Sequence, residues 1–92
     1  MGAPRVLGLI AGSGELPLAF ARQAFQKGYH LRIAAIRGSA SPKIGKMGAE
    51  TAWISAGQVG KLLSFLKKGH VRQAVMHGKV QHYARPNGVM NS

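Results

Sequence analysis

Hydrophobic positions along this chain fall into short blocks whose spacing switches between continuous and helical. Val6 to Ala11 is an unbroken apolar run, the pattern of a strand covered on both faces. From Glu15 to Lys27 the period lengthens: Leu16, Ala19, Phe20 and Ala24 share one stripe while Arg22, Gln26 and Lys27 point elsewhere, which predicts an amphipathic helix. Ser13 or Gly14 is placed to cap its start, and Glu15 suits the positive end of its dipole. Pro17 fits a first turn that needs no N–H donor, and Gly28 closes the helix. Leu31 to Ile36 predicts a second buried strand, and the Gly-, Ser- and Lys-rich stretch from Arg37 to Ala49 a loop. Thr51 to Ile54 predicts a short third strand. Ser55 and Gln58 then stand at capping-box spacing ahead of Val59, Leu62, Leu63 and Leu66, a second helix reaching about Lys68 and ended by Gly69. Gln73 to His77 supplies a fourth strand.

The resulting order is β-α-β-β-α-β. Strands alternating with helices of this length imply parallel pairing and right-handed crossovers, so the expected fold class is α/β: a small Rossmann-like parallel sheet of four strands, order 3-2-1-4, with two main helices. Residues 1–80 form the expected N-terminal domain. Residues 81–92 have no sustained period and read as a tail or a truncated interdomain connection. In such a sheet ligands sit at the strand C-termini, at the switch point between the first and fourth strands. That point brings Gly12, Ser13 and Gly14 near His77, Gly78 and Lys79, and these six are the candidate binding residues. Glycines let a backbone approach a ligand closely, and the N–H groups and dipole of a helix start favour an anion. The turn therefore points to a nucleotide without naming the chemistry.

Composition narrows the class. A hydrophobic content of 46% describes a globular chain with one modest core. The apolar stretches are well short of the roughly 18 residues that span a bilayer, and the N-terminus lacks the regions of a signal peptide. With no cysteine, disulfides and thiolate zinc sites are excluded, in keeping with an expected cytoplasmic location. Thirteen Lys and Arg stand against only Glu15 and Glu50, a formal net charge of +11. Such a surface attracts anions: nucleic acid, acidic lipid headgroups, a nucleotide diphosphate or an acidic protein surface, unless it is merely a basic exterior.

Several chemistries are poorly served. Pro17 occupies the place of the third glycine in a dinucleotide fingerprint, and Arg37 stands where an acid would hold an NAD ribose. Arg37 suits either the 2′-phosphate of NADP or a solvated loop. Ser13 lacks the flanking glycines of a nucleophile elbow and is better read as a cap. His70, His77 and His82 have no metal-ligand spacing. Two distant carboxylates suit neither magnesium nor paired acid–base work, so no catalytic or metal-binding residue is assigned. Nucleic acid is disfavoured because the basic residues are scattered and the aromatics form no stacking motif. Phe20 and Phe25 read as helix core, Trp53 as a buried strand residue, and the stripe Val59, Leu62, Leu63, Leu66 as packing against the sheet.

Three ordered segments resemble one known family. Leu7-Gly8-Leu9-Ile10-Ala11-Gly12-Ser13-Gly14-Glu15-Leu16-Pro17 looks like the opening of the bacterial UDP-2,3-diacylglucosamine pyrophosphatase of lipid A biosynthesis, in the form unrelated to the calcineurin-like hydrolases. Trp53-Ile54 with Gly57-Gln58-Val59-Gly60-Lys61-Leu62 resembles its second signature, and Ala74-Val75-Met76 with Gly78-Lys79-Val80 its third. His77 and the text after Val80 depart from the pattern.

The resemblance implies a Mg2+-dependent hydrolase that splits UDP-2,3-diacylglucosamine into UMP and 2,3-diacylglucosamine 1-phosphate at the cytoplasmic face of the inner membrane. It covers only the N-terminal domain of such an enzyme; the metal-bearing and catalytic carboxylates belong to a C-terminal domain absent from this sequence. The chain is then expected to bind substrate and to be inactive alone, with its surplus positive charge serving the pyrophosphate and an anionic membrane surface. A missing half also predicts exposed apolar surface or homo-oligomers. Two other classes remain: a stand-alone module for a UDP-sugar or NADP, and a basic anion-binding adaptor. Ligand-dependent melting and salt dependence separate them.

Overall fold

The structure, a computed structural model, describes residues 5–47 and 50–79. Along the chain lie β1 (Val6–Ala11), α1 (Leu16–Gln26), β2 (His30–Ile36), a 3-10 helix (Pro42–Lys46), β3 (Glu50–Ile54), α2 (Val59–Lys68) and β4 (Ala74–His77). The expected tail, 81–92, and His82 fall outside the described residues. The four strands form one sheet in the order β3-β2-β1-β4. Every pairing is parallel, with Leu9 beside Ile33 and Val75, and Ile33 beside Thr51. The sheet order and strand direction read from the sequence are those observed. Continuous apolar runs placed the central strands, and the crossovers left little choice of topology.

One face of the sheet carries the core. Leu9 and Ala11 of β1, Leu31, Ile33 and Ala35 of β2, and Leu18, Ala21 and Ala24 of α1 are buried together. The stripe expected for α1 is rotated. Pro17, Leu18, Ala21 and Ala24 are its buried residues, whereas Leu16, Ala19 and Phe25 are exposed and Phe20 is half-buried. Small alanines let the helix axis come close to the sheet, so a stripe drawn through the larger apolar residues picks the wrong phase. Nor does Ser13 or Gly14 cap α1: Glu15 occupies the N-cap, and no side chain makes a capping hydrogen bond. The expected loop from Arg37 to Ala49 holds the 3-10 helix, started by Ser41, whose Oγ accepts from the Lys43 N–H at 3.2 Å. This turn drives Ile44 into the core. Trp53 is half-buried and packs against the same cluster.

The opposite face is covered by α2, which packs on β2 and β3. The expected capping box is half formed. The Ser55 N–H donates to Gln58 Oε1 at 2.9 Å, and Gln58 itself is the N-cap. No residue of α2 is buried: Leu62, Phe65 and Leu66 are half-covered, while Val59 and Leu63 of the expected sheet-facing stripe are exposed. At its end Gly69 is the C-cap with an ordinary φ, and His70 takes the left-handed conformation at φ 57°.

Gly69 also leaves room for a neighbouring side chain. A Cβ there would collide with the Arg32 side chain, which runs from β2 beneath the helix end. Arg32 is only 13% exposed; its Nε donates to the Phe65 carbonyl at 2.9 Å, its guanidinium lies 4.1 Å from the Phe65 ring centre, and it pairs with Glu50 on β3. This arginine thus ties α2 to two strands. Arg32→Ala is expected to cost about 2 kcal/mol, since a charged hydrogen bond to a half-covered carbonyl contributes roughly 1.5–3 kcal/mol while the exposed Glu50 pair adds little. Urea unfolding checks this. Arg32→Lys should recover only a small part of the loss, because an ammonium cannot lie flat on the ring and reach both partners.

Candidate functional site

At the C-terminal edge of the sheet, β1 and β4 emerge side by side and their continuations cross. The Gly12 N–H donates to the His77 carbonyl and the Ser13 N–H to the Lys79 carbonyl, both at 2.8 Å, and Ser13 and Lys79 form an antiparallel bridge. The crossing is tight enough to exclude side chains. A Cβ on Gly12 would lie 2.5 Å from the Lys79 carbonyl oxygen. One on Gly78, which sits at φ 88°, would press on the Ser13 carbonyl oxygen and come within 3.0 Å of Pro17 Cγ. The structure therefore brings Gly12, Ser13, His77, Gly78 and Lys79 together, with Gly14 following immediately in the turn. Two of these glycines answer to backbone meeting backbone.

Of the glycine pair expected to offer its amides to a ligand, Gly12 does not: its N–H and that of Ser13 are spent on β4 and its continuation. The donors that remain lie one step further on. Among the described residues the amides of Gly14, Glu15, Leu16 and Leu18 have no acceptor, as a helix start with no side-chain cap requires. Gly14 itself is exposed, at φ 94°, with open space where a side chain would be. Hence the unpartnered donors of the turn lie between Gly14 and Leu18, at the positive end of an eleven-residue helix.

Glu15, exposed at the N-cap of α1, is the one carboxylate at this mouth among the described residues, and the other charged residues around it are cations. Lys79 is exposed beside the crossing, and Arg37 is exposed where β2 ends, its N–H bonded to the Ile54 carbonyl at 2.9 Å. The His77 side chain takes a different direction. Its ring packs on Phe20 of α1 at 4.8 Å between centroids, so it braces helix against edge strand. A cavity of about 200 Å³ lined by Leu7, Phe20, Gln23, Ala24, Lys27 and Tyr29 sits at the other end of α1, away from the mouth. Sequence spacing missed the shift of donors from Gly12 to Gly14 and beyond. The signal available was Gly78, a second glycine facing the first across the expected switch point.

Comparison with known families assigns the domain. The family model described as LpxI N-terminal domain matches residues 6–87. The chain belongs to this LpxI family. No curated protein matches the sequence. The LpxI match spans every described strand and helix, and it fits a part of an enzyme of lipid A biosynthesis. In this LpxI domain the crossing of β1 and β4 lies immediately before the amides of Gly14 to Leu18 that have no acceptor.

The donor chemistry of this LpxI domain does not suit magnesium. Glu15 precedes α1, Glu50 is engaged by Arg32 on β3, and among the described residues no three His, Cys, Asp or Glu side chains gather as a metal cluster. Hard cations require several oxygen ligands, and Glu15 alone, beside Lys79 and Arg37, does not supply them. What the arrangement offers chemically is a set of backbone donors without acceptors beside exposed cations.

Proposed function

We propose that the chain is the N-terminal, substrate-binding portion of a hydrolase that cleaves UDP-2,3-diacylglucosamine to UMP and 2,3-diacylglucosamine 1-phosphate in lipid A biosynthesis. The observation that carries this reading is the LpxI match across residues 6–87. The mouth supports it: unpartnered amides at the start of α1, flanked by Lys79 and Arg37, have the donor pattern for a diphosphate. In this reading Gly14 and the helix start receive the pyrophosphate, Lys79 supplies charge, and Gly12, Ser13 and Gly78 build the turn that presents them. His77 holds β4 against α1. Metal and hydrolytic groups come from a separate carboxylate-bearing domain, and the cationic surface faces the anionic cytoplasmic side of the inner membrane.

The test is UMP release from UDP-2,3-diacylglucosamine by this protein, with and without a separately supplied C-terminal domain of the same family. No UMP is expected from the 92 residues alone, and release above that of the C-terminal domain by itself is expected when the two are mixed. Turnover by this chain unaided would refute the division of labour. In a parallel melt, UDP should raise the midpoint temperature saturably, as a ligand that binds only the native state does. Uridine without phosphates should leave it unchanged.

A further inference from the structure

The end of α1 closes in a turn that leaves a hollow beside it. The Gly28 N–H, at φ 86°, donates to the Phe25 carbonyl and the Tyr29 N–H to the Ala24 carbonyl, both at 3.0 Å, the paired bonds of a Schellman turn. This turn folds Tyr29 back towards Ala24, and β2 begins one residue later. Between them remains the cavity of about 200 Å³, lined also by Leu7 of β1, by Phe20 and Gln23 of α1 and by Lys27. Both aromatic rings that line it already have a partner. Phe20 packs on His77 at 4.8 Å between ring centres, and the Arg5 guanidinium stands 6.0 Å from the centre of the Tyr29 ring. The cavity therefore lies apart from the unpartnered amides of Gly14 to Leu18, at the opposite end of the same helix.

We propose that this cavity is a binding site for a small aromatic carboxylate, one planar ring carrying one acidic group. Size sets the ring. An apolar cavity of about 150 Å³ holds a single benzene, so the space here admits one ring and a small substituent. The lining sets its character: Leu7 and Ala24 are apolar, and Phe20 and Tyr29 are rings that gain from a third packed edge-on or offset against them. Charge sets the substituent. Lys27 is exposed within the lining and Arg5 stands beside Tyr29, while the two acidic side chains lie elsewhere, Glu15 at the far end of α1 and Glu50 on Arg32. Gln23 precedes Lys27 by four residues, so its amide shares that face and adds a neutral donor beside the ammonium. A site of this kind is independent of the proposed substrate, whose diphosphate belongs to the other end of α1.

The experiment titrates the full chain with benzoate and follows backbone amide chemical shifts. Saturable shifts with a Kd of about 1 mM, as suits so small a ligand, are expected at Leu7, Gln23, Lys27 and Tyr29. Acetate has the charge without the ring and benzamide the ring without the charge; each should bind at least about tenfold more weakly. Gln23→Trp, which fills the cavity, and Lys27→Glu should each weaken benzoate by a similar factor. Both residues are exposed, so both variants should fold, and unchanged shifts elsewhere in the spectrum would show it. Lys68→Glu makes the same charge change on α2 and should leave binding intact. The proposal is overturned if the benzoate shifts fail to saturate, if acetate matches benzoate, or if Gln23→Trp binds as well as the parent. Equal weakening by Lys68→Glu and Lys27→Glu would also overturn it, since that marks adsorption to a chain of net charge +11 rather than a site.

Discussion

Gly78→Ala is expected to cost about 4 kcal/mol and to lower the midpoint of thermal unfolding by roughly 15–30 °C, a large share of what so small a domain possesses. Two penalties coincide at this position. The residue sits at φ 88°, where any side chain is strained, and the added methyl would be driven into the Ser13 carbonyl oxygen. Relaxation is blocked because the crossing chain is held on both sides, by the Gly12 N–H on the His77 carbonyl and the Ser13 N–H on the Lys79 carbonyl. Circular dichroism melts measure the total. Hydrogen exchange locates it, since the Gly12 and Ser13 amides should lose protection before those at the centre of β1. Gly14→Ala is the informative contrast: at φ 94° with open space around it, it should cost only about 1–2 kcal/mol. Equal losses at the two positions would mean that strain alone, and not the meeting of two backbones, sets the requirement for glycine.

Ile33→Ala should be comparably severe, about 2–5 kcal/mol, through a different cause. Ile33 is fully buried at the middle of β2, between Leu9 of β1 and Thr51 of β3, and belongs to the cluster that joins the sheet to α1 and to Ile44. Truncation there removes transfer free energy and leaves a cavity that flanking strands, fixed by their ladders, cannot close. A lowered urea midpoint with an unchanged slope is the expected signature. The same chemical change at Leu63, on the open side of α2, should stay within about 0.5 kcal/mol. The pair of measurements therefore separates a core position of the sheet from an exposed position on α2.

The glycine-rich turn shows how a correct element can carry an incomplete reason. From residue types alone, Gly12 and Gly14 look alike, both small and both next to a helix start. In three dimensions Gly12 is pressed against Lys79 while Gly14 faces open space, so one serves the crossing of two chain segments and the other leaves room at the mouth. The half-formed capping box at Ser55 and Gln58 is similar. Spacing located the start of α2 but did not say which of the two reciprocal bonds would form.

What the chain alone determined was the set of strands and their parallel order, because apolar runs, helix-length connections and right-handed crossovers are local or nearly local constraints. The phase of α1, the burial of Ile44 from a polar-looking stretch, the Arg32 tie beneath Gly69 and the loss of the Gly12 and Ser13 amides to β4 were decided only on folding. Each of these depends on how close two distant segments come, and that distance is set by the packing of the whole domain rather than by any residue's neighbours along the chain.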